Sequence, residues 1–218
     1  MQAAVSQITH DCCTAFISAD WPASQLAAMT NATVAAGLPK PYIVAMGWGS
    51  PQSQMTLAKK LGAEAISQYA FIGSPVNGTG ADVPGHPLAF QSNAQQEAEH
   101  YTECATAGIE VLPSVTAGWD PRPREVKPPP WQNGAAPKGC NVSGEALCHV
   151  QDPTMPELTA HAKRMVQWVH DNPGSAKANA LILSAWNEHD EGHWVCPSLQ
   201  DGAAKLEAIK LGLAAGLR

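Results

Sequence analysis

The chain is poor in basic residues. Lys and Arg together number 13 among 218 residues, against 19 Asp and Glu, so the formal net charge is −6 at pH 7. These cations are scattered and form no basic stripe that could neutralise a nucleic-acid backbone, which excludes nucleic acid as an expected partner. Apolar stretches are also short, and none approaches the roughly 18 to 20 residues that cross a bilayer. We therefore expect no membrane span.

Targeting and zinc-binding patterns are missing as well. The amino terminus lacks the basic start and apolar core of a signal peptide, and no two cysteines have the Cys-x-x-Cys spacing of a structural zinc site. The chain nevertheless has six cysteines and N-glycosylation sequons at Asn31, Asn77 and Asn141, which indicate a secretory compartment. Cys140 and Cys148 bracket a short loop and are the pair that we expect to be bridged. We expect secretion if a longer parent protein carries a signal peptide.

Helical and strand-like patterns alternate along the chain. Helices are predicted over residues 24–38, 52–61, 93–107, 154–170 and 201–217, and strands over 42–46, 63–71, 109–115 and 180–185. Thr154 and Glu157 match a capping box, and Gly62 stands where a helix should end. Residues 74–87 and 117–152 are predicted to be long loops. This alternation is typical of parallel βαβ units, so we expect one α/β domain over residues 1–218.

The end of the last predicted strand is the most informative stretch. Its apolar run stops at a polar cluster that includes Asn187, Glu188 and Glu191. Charged groups are costly near a core, and ligands of α/β proteins bind beyond the carboxyl ends of parallel strands. Glu188 and Glu191 can face one cleft if Gly192 closes a tight turn. Two neighbouring carboxyl groups can divide the acid and base work of glycoside cleavage, so we predict a catalytic pair.

The residues around this pair suit a sugar. Trp186 and Trp194 offer flat apolar faces for sugar rings, while Asn187, His189 and His193 offer hydrogen bonds to hydroxyl groups. The two histidines could instead bind zinc or manganese together with a carboxylate of the same turn. The glycine between them argues against the helical spacing that such a site uses. We expect neither a metal nor an organic cofactor.

Two motifs carry a resemblance to a known family. Residues 185–192, Ala-Trp-Asn-Glu-His-Asp-Glu-Gly, resemble the Trp-Asn-Glu-Trp-x-Glu-Gly signature of glycoside hydrolase family 99 and the related WbsX-like proteins. Residues 111–124 resemble a strand and loop of the same proteins that reads roughly Pro-x-Val-x-x-x-Trp-Asp-Asn-x-Pro-Arg. The resemblance covers about residues 40 to 213 and corresponds to the carboxyl-terminal half of that family. His189 departs from it, because the family usually has Trp there.

The resemblance implies a fold and a mechanism. The fold would be a (β/α)8 TIM-barrel-like domain, incomplete because a closed barrel typically takes about 250 residues, and we expect an amino-terminal portion in the parent protein. Glu191 would be the general acid/base, and Glu188 would deprotonate the sugar's own 2-hydroxyl, giving a transient anhydro sugar. The substrate would be an oligosaccharide or polysaccharide that contains mannose. The residues lining the sugar site would be Trp119, Asp120, Arg124, Trp186 and Asn187.

Several alternatives stay open. WbsX-like proteins are often described as glycosyltransferases, and a partial barrel could bind glycans without cleaving them. Glu188 and Glu191 could also form a solvated or salt-bridged acidic turn. Asp120 and Arg124 could belong to a charge-paired loop. Tyr69, at the end of its predicted strand, is either a site residue or a tyrosine at the rim of the core.

Overall fold

The computed structural model describes residues 23–47, 49–73, 88–130 and 149–217. The helices are α1 (Ala23–Ala35), α2 (Pro51–Leu61), α3 (Phe90–Thr106), α4 (Pro123–Val126), α5 (Met155–Asp171) and α6 (Ala204–Gly216). The strands are β1 (Val44–Met46), β2 (Ala65–Ser67), β3 (Ser114–Thr116), β4 (Ile182–Ser184), β5 (Asn187–Glu188) and β6 (His193–Trp194). None of the helices in this part of the chain combines the length and apolar character that crossing a membrane requires.

The first four strands run parallel and follow one another in chain order. β1 pairs with β2 in the register Val44↔Ala65, and β3 pairs with β4 in the register Ser114↔Ile182. A parallel bridge between Ile66 and Val111 joins the two pairs. Helices α2, α3 and α5 lie between successive strands in the chain. The predicted α/β class is confirmed, and the described residues do not close a barrel.

The helix ends follow the local signals of the sequence. The Ser50 hydroxyl accepts a hydrogen bond from the Ser53 backbone at the start of α2, and Gly62 ends that helix with φ of 68°. Thr154 and Glu157 form the predicted capping box of α5. These signals were readable because a cap is a contact between residues three or four positions apart.

The strands are shorter than predicted. Each of the strands β1 to β4 has only three residues, for example Ser114–Thr116 where a strand over 109–115 was predicted, so that β3 begins later and ends one residue further on. Pro113 lacks a backbone donor and precedes β3, although its carbonyl oxygen still accepts from the Ile182 amide at 2.9 Å. Apolar character predicted burial correctly at Val111 and Val115, which are fully buried, but did not reveal where pairing begins.

The predicted disulfide lies outside the described residues. Cys140 and Cys148 both fall there, as do the sequons at Asn77 and Asn141. Asn31 is described and lies exposed on α1. The predicted loop 117–152 contains the short helix α4, which begins at a proline.

A buried carboxylate joins three elements of the core. Glu97 on α3 is fully buried, and its Oε1 accepts hydrogen bonds from the hydroxyls of Ser114 at 2.8 Å and Thr116 at 2.9 Å. Its Oε2 lies 3.1 Å from Nε2 of His161 on α5. Because a buried carboxylate is costly without partners, the two hydroxyl hydrogen bonds tie β3 to α3, while the His161 ring of α5 lies beside Oε2 without forming a hydrogen bond.

Helices α5 and α6 approach each other closely at two glycines of α6, Gly212 and Gly216. A Cβ atom on Gly212 would lie 2.7 Å from the Cβ of Ala162 and closer still to the carbonyl oxygen of Thr159. One on Gly216 would lie 2.6 Å from the Cβ of Val166. Two glycines one turn apart therefore set the spacing of this helix pair.

We expect Gly212→Ala to lower the free energy of unfolding by about 1 to 3 kcal/mol, because the added methyl group must push the backbones apart. This would outweigh the roughly 1 kcal/mol by which Ala favours a helix over Gly. Urea unfolding measures the change. Gly174→Ala is the matched control, since a Cβ there meets nothing within 4 Å. Equal stability of the two variants would contradict the close approach.

Candidate functional site

The predicted polar cluster forms a small hairpin after β4. Strands β5 and β6 pair antiparallel, and the 3-10 turn His189–Glu191 joins them, followed by Gly192 with φ of 59°. We call residues 187–194 the carboxylate hairpin. The register is Asn187↔Trp194 and Glu188↔His193. Directly opposed residues share one face of an antiparallel pair, so Glu188 and His193 lie on one face, and Asn187 and Trp194 lie on the other.

The hairpin packs tightly against the loop after β3. A Cβ on Gly192 would lie 2.5 Å from the Cβ of Asp120, and one on Gly118 would lie 2.7 Å from the Gly192 carbonyl oxygen. The Asp120 amide donates to the Glu191 carbonyl oxygen at 2.5 Å. Glycine at these two positions lets the segments touch backbone to backbone, which brings the two sequence motifs together.

Arg124 is the centre of the charged groups. Its Nη1 donates to Glu191 Oε1 at 2.5 Å, and its Nε donates to Asp190 Oδ2 at 2.7 Å. Its Nη2 lies 3.7 Å from Glu188 Oε2. The Arg124 residue is only 6% exposed. One buried guanidinium thus holds three carboxylates of the hairpin, and we call these four residues the arginine–carboxylate cluster.

Tyr69 reaches the same cluster from the end of β2. Its hydroxyl donates to Glu191 Oε2 at 3.2 Å, so both oxygens of Glu191 have protein partners. Burial raises the pKa of Tyr69 well above its usual value, and the negative charges of Glu191 and Glu188 raise it further. The phenol therefore stays protonated and remains a donor. The Ser184 hydroxyl donates to the Tyr69 carbonyl oxygen, which ties the ends of β2 and β4 together.

The members of the cluster differ in their access to solvent. The Glu191 side chain is 7% exposed and that of Glu188 is 17% exposed, while Asp190 is about half exposed. Trp186, two residues before Glu188, is 59% exposed. Its carbonyl oxygen accepts from the amides of Val195 and Cys196, so the backbone beneath this exposed ring is fixed. Trp186 thus offers an exposed indole, and Glu188 a partly exposed carboxylate, two residues apart in the chain.

Trp194 faces a different environment. The Lys205 ammonium lies 3.6 Å from the centroid of its ring, and the His189 ring lies 5.2 Å away at an interplanar angle of 35°. Nε2 of His189 is 3.2 Å from Sγ of Cys196. The hairpin register already places Trp194 on the face opposite Glu188. The structure therefore does not bring Trp194 and Asn187 together with the carboxylates, although the sequence predicted one common site.

Asp120 and Arg122 form a pair of their own. Arg122 donates through Nε to Oδ1 at 2.7 Å and through Nη2 to Oδ2 at 2.6 Å. Burial opposes ionisation of Asp120, but the hydrogen bonds and charge of Arg122 outweigh it, so the pKa of Asp120 lies below its usual value. This geometry agrees with the charge-paired loop that we considered for Asp120. Trp119 is half-buried beside the His193 ring, with 6.2 Å between ring centroids.

His193 lies beneath the site instead of on its surface. It is fully buried, and its ring meets that of Tyr69 edge to face at 5.4 Å. His193 is therefore not available to bind sugar hydroxyls as its sequence position suggested. Successive side chains of a strand point to opposite faces, so the position of His193 directly before Trp194 in β6 indicated that the two rings lie on different faces of the hairpin.

Two further contacts were not predicted from the sequence. Asp190, which we considered only as a possible metal ligand, binds Arg124 directly, and Lys205 covers Trp194 from α6. Among the described residues, no group of three or more His, Cys, Asp or Glu side chains is arranged to hold a metal ion.

No family model matches the chain, and a search of curated proteins finds no match. The resemblance to glycoside hydrolase family 99 therefore stays a prediction.

The buried imidazole predicts a pH dependence of stability. Burial lowers the pKa of His193 from 6.5 to about 4. As the pH falls below 6.5, the unfolded chain binds a proton that the folded chain does not bind until the pH nears 4. The contribution of the neutral, buried His193 to the free energy of unfolding is therefore complete above pH 6.5 and is lost as the pH drops toward 4. Between pH 7.5 and 5 the loss should be about 2 kcal/mol.

His193→Met should remove this part of the pH dependence. Urea unfolding at the two pH values measures the difference for each protein. His170→Met is the control, because His170 is largely exposed on α5 and should leave the difference unchanged. A His193→Met variant that loses as much stability as the parent would contradict the assignment.

Proposed function

We propose that the protein is a glycan-processing hydrolase in which Glu188 and Glu191 form the acid/base pair. The observation that carries the proposal is that both carboxylates contact one buried guanidinium, that of Arg124, beyond the ends of parallel strands. This is the region in which α/β proteins bind ligands. The sugar-accepting surface would be the exposed ring of Trp186.

The two carboxylates are suited to different tasks. Glu191 is held on both oxygens, and the 3.2 Å contact of Oε2 with Tyr69 is the longer one. We infer that Oε2 serves the leaving oxygen, while Arg124 keeps Oε1 in place. Glu188 lies 3.7 Å from Arg124 and is more exposed, so it can turn toward a substrate more easily. This matches the roles that the family 99 resemblance implies for the two positions.

The proposed reaction has two steps. Glu188 begins as the carboxylate and Glu191 as the carboxylic acid, with its proton on Oε2. Glu188 takes the proton of the sugar's 2-hydroxyl, and that oxygen displaces the leaving group at C1 while Glu191 gives its proton to the leaving oxygen. Water then opens the anhydro sugar at C1, gives its proton to Glu191, and the 2-oxygen regains its proton from Glu188. Mannose-containing glycans are the proposed substrates. No cofactor takes part in these proton transfers.

The strand order supports the proposed architecture. The repeating unit of a (β/α)8 barrel is a parallel strand followed by a helix. Strands β1 to β4 are parallel, follow one another in chain order and have helices between them. In such barrels, the active site lies at the carboxyl ends of the strands. We propose that β1 to β4 belong to a barrel of this type, with the arginine–carboxylate cluster at that end.

The proposal predicts that either glutamate is needed for hydrolysis. Glu188→Gln and Glu191→Gln should each lower kcat on the order of 10²- to 10⁴-fold, the usual contribution of a general acid or base. Release of reducing sugar from mannans and high-mannose glycans measures the rate. Glu99→Gln, an exposed position on α3, is the matched control and should keep full activity.

Three outcomes would contradict the proposal in different ways. Equal activity of both variants and the parent would remove the catalytic assignment. Glycan binding that is lost in Trp186→Ala, without hydrolysis by the parent, would indicate a binding protein. Transfer of sugar to an acceptor other than water would indicate a glycosyltransferase. Circular dichroism verifies folding, and Glu188→Gln is the safer variant because it leaves the Arg124–Glu191 contact in place.

A further inference from the structure

Lys205 is buried although its residue type rarely is. It is the second residue of α6 and only 3% exposed, and its ammonium lies 2.8 Å from Asp152 Oδ1. The Asp152 side chain is 57% exposed, so solvent screens this ion pair from the Asp152 side. The second contact of the ammonium is the indole of Trp194, 3.6 Å from the ring centroid. Trp is the aromatic residue that binds a cation best.

Trp194 links this cation to the proposed catalytic residues. It pairs with Asn187 in the carboxylate hairpin, and the next pair of the ladder is Glu188 with His193. Trp194 and Glu188 lie on opposite faces of the hairpin. The Lys205 ammonium holds the indole on one face of the hairpin. Because the two strands are only two residues long, holding that face also limits the movement of Glu188 on the opposite face.

We propose that Lys205 is a positioning residue of the carboxylate hairpin. Its ammonium, held by Asp152, fixes the plane of Trp194 and through it the placement of Glu188 and Glu191. The catalytic consequence rests on the proposed hydrolase function, whereas the coupling between Lys205 and Trp194 does not. Lys205 does not touch the substrate.

The first test is a double-mutant cycle of Lys205→Met and Trp194→Phe. Lys205→Met should shift the tryptophan emission spectrum, and the shift should vanish when Trp194 is Phe, because the affected indole is then gone. The losses in unfolding free energy should also be non-additive, as for residues in contact. An emission shift that persists in the Trp194→Phe background, or additive losses, would overturn the coupling. If Lys205→Met does not fold, Lys205→Gln replaces it in the cycle.

The second test separates positioning from a merely structural role. Lys205→Met should lower kcat on the order of tenfold to a hundredfold with KM little changed, because a misplacement of about 1 Å suffices for such a loss. Lys205→Arg keeps a cation on the ring and should restore most of the rate. Asp152→Asn should cost less, since the contact with Trp194 remains. Equal effects of Lys205→Met and Asp152→Asn, or failure of Arg to restore the rate, would overturn the positioning role.

The two tests also keep this proposal apart from the hydrolase proposal. If the parent protein cleaves no glycan, the hydrolase proposal fails and the catalytic part of this one fails with it. The emission and stability cycle still decides whether Lys205 fixes Trp194.

Discussion

The site depends on the ion pairs that the guanidinium of Arg124 makes with three carboxylates. This guanidinium is a buried cation that contacts Glu188, Asp190 and Glu191, and without it three carboxylates would lie close together with no cation between them. Their mutual repulsion would then push the hairpin open. The reverse also holds, because Arg124 could not remain buried without those anions. The loop after β3 and the hairpin after β4 are therefore stable only together.

Backbone geometry makes that mutual dependence possible. The Arg124 amide donates to the Pro121 carbonyl oxygen at 3.0 Å, and α4 begins at a proline, so the residue is presented from a stiff turn. Gly118 and Gly192 remove the Cβ atoms that would keep the two segments apart. The charged contacts and the backbone contact need each other, since a guanidinium reaches its carboxylates only where the chains are this close. A side chain at either glycine would thus act on the charges as well as on packing.

The sequence revealed local features better than distant ones. The capping box at Thr154 and the left-handed Gly62 were predictable because each depends on residues a few positions apart. That Glu188 and Glu191 would share one turn was predictable for the same reason. The ion pair of Arg124 with Glu191 was not, because 67 residues separate the two; only the family resemblance assigned Arg124 to the same site. Strand lengths were overestimated, since an apolar run indicates burial but not the register in which a ladder forms.

The register of the hairpin also explains why a single polar cluster in the sequence divides into two environments. A side chain changes face at each step along a strand, so His193 and Trp194 are neighbours in the chain and yet lie on opposite sides. The His193 side is buried with Tyr69 and the carboxylates, whereas the Trp194 side meets the cation of α6. The hairpin is thus held from both faces by charge, by Arg124 in front and by Lys205 behind. A two-stranded hairpin of eight residues is too short to hold its own shape, so the placement of Glu188 and Glu191 depends on contacts outside the hairpin, with these two cations, the Tyr69 hydroxyl and the backbone of Asp120.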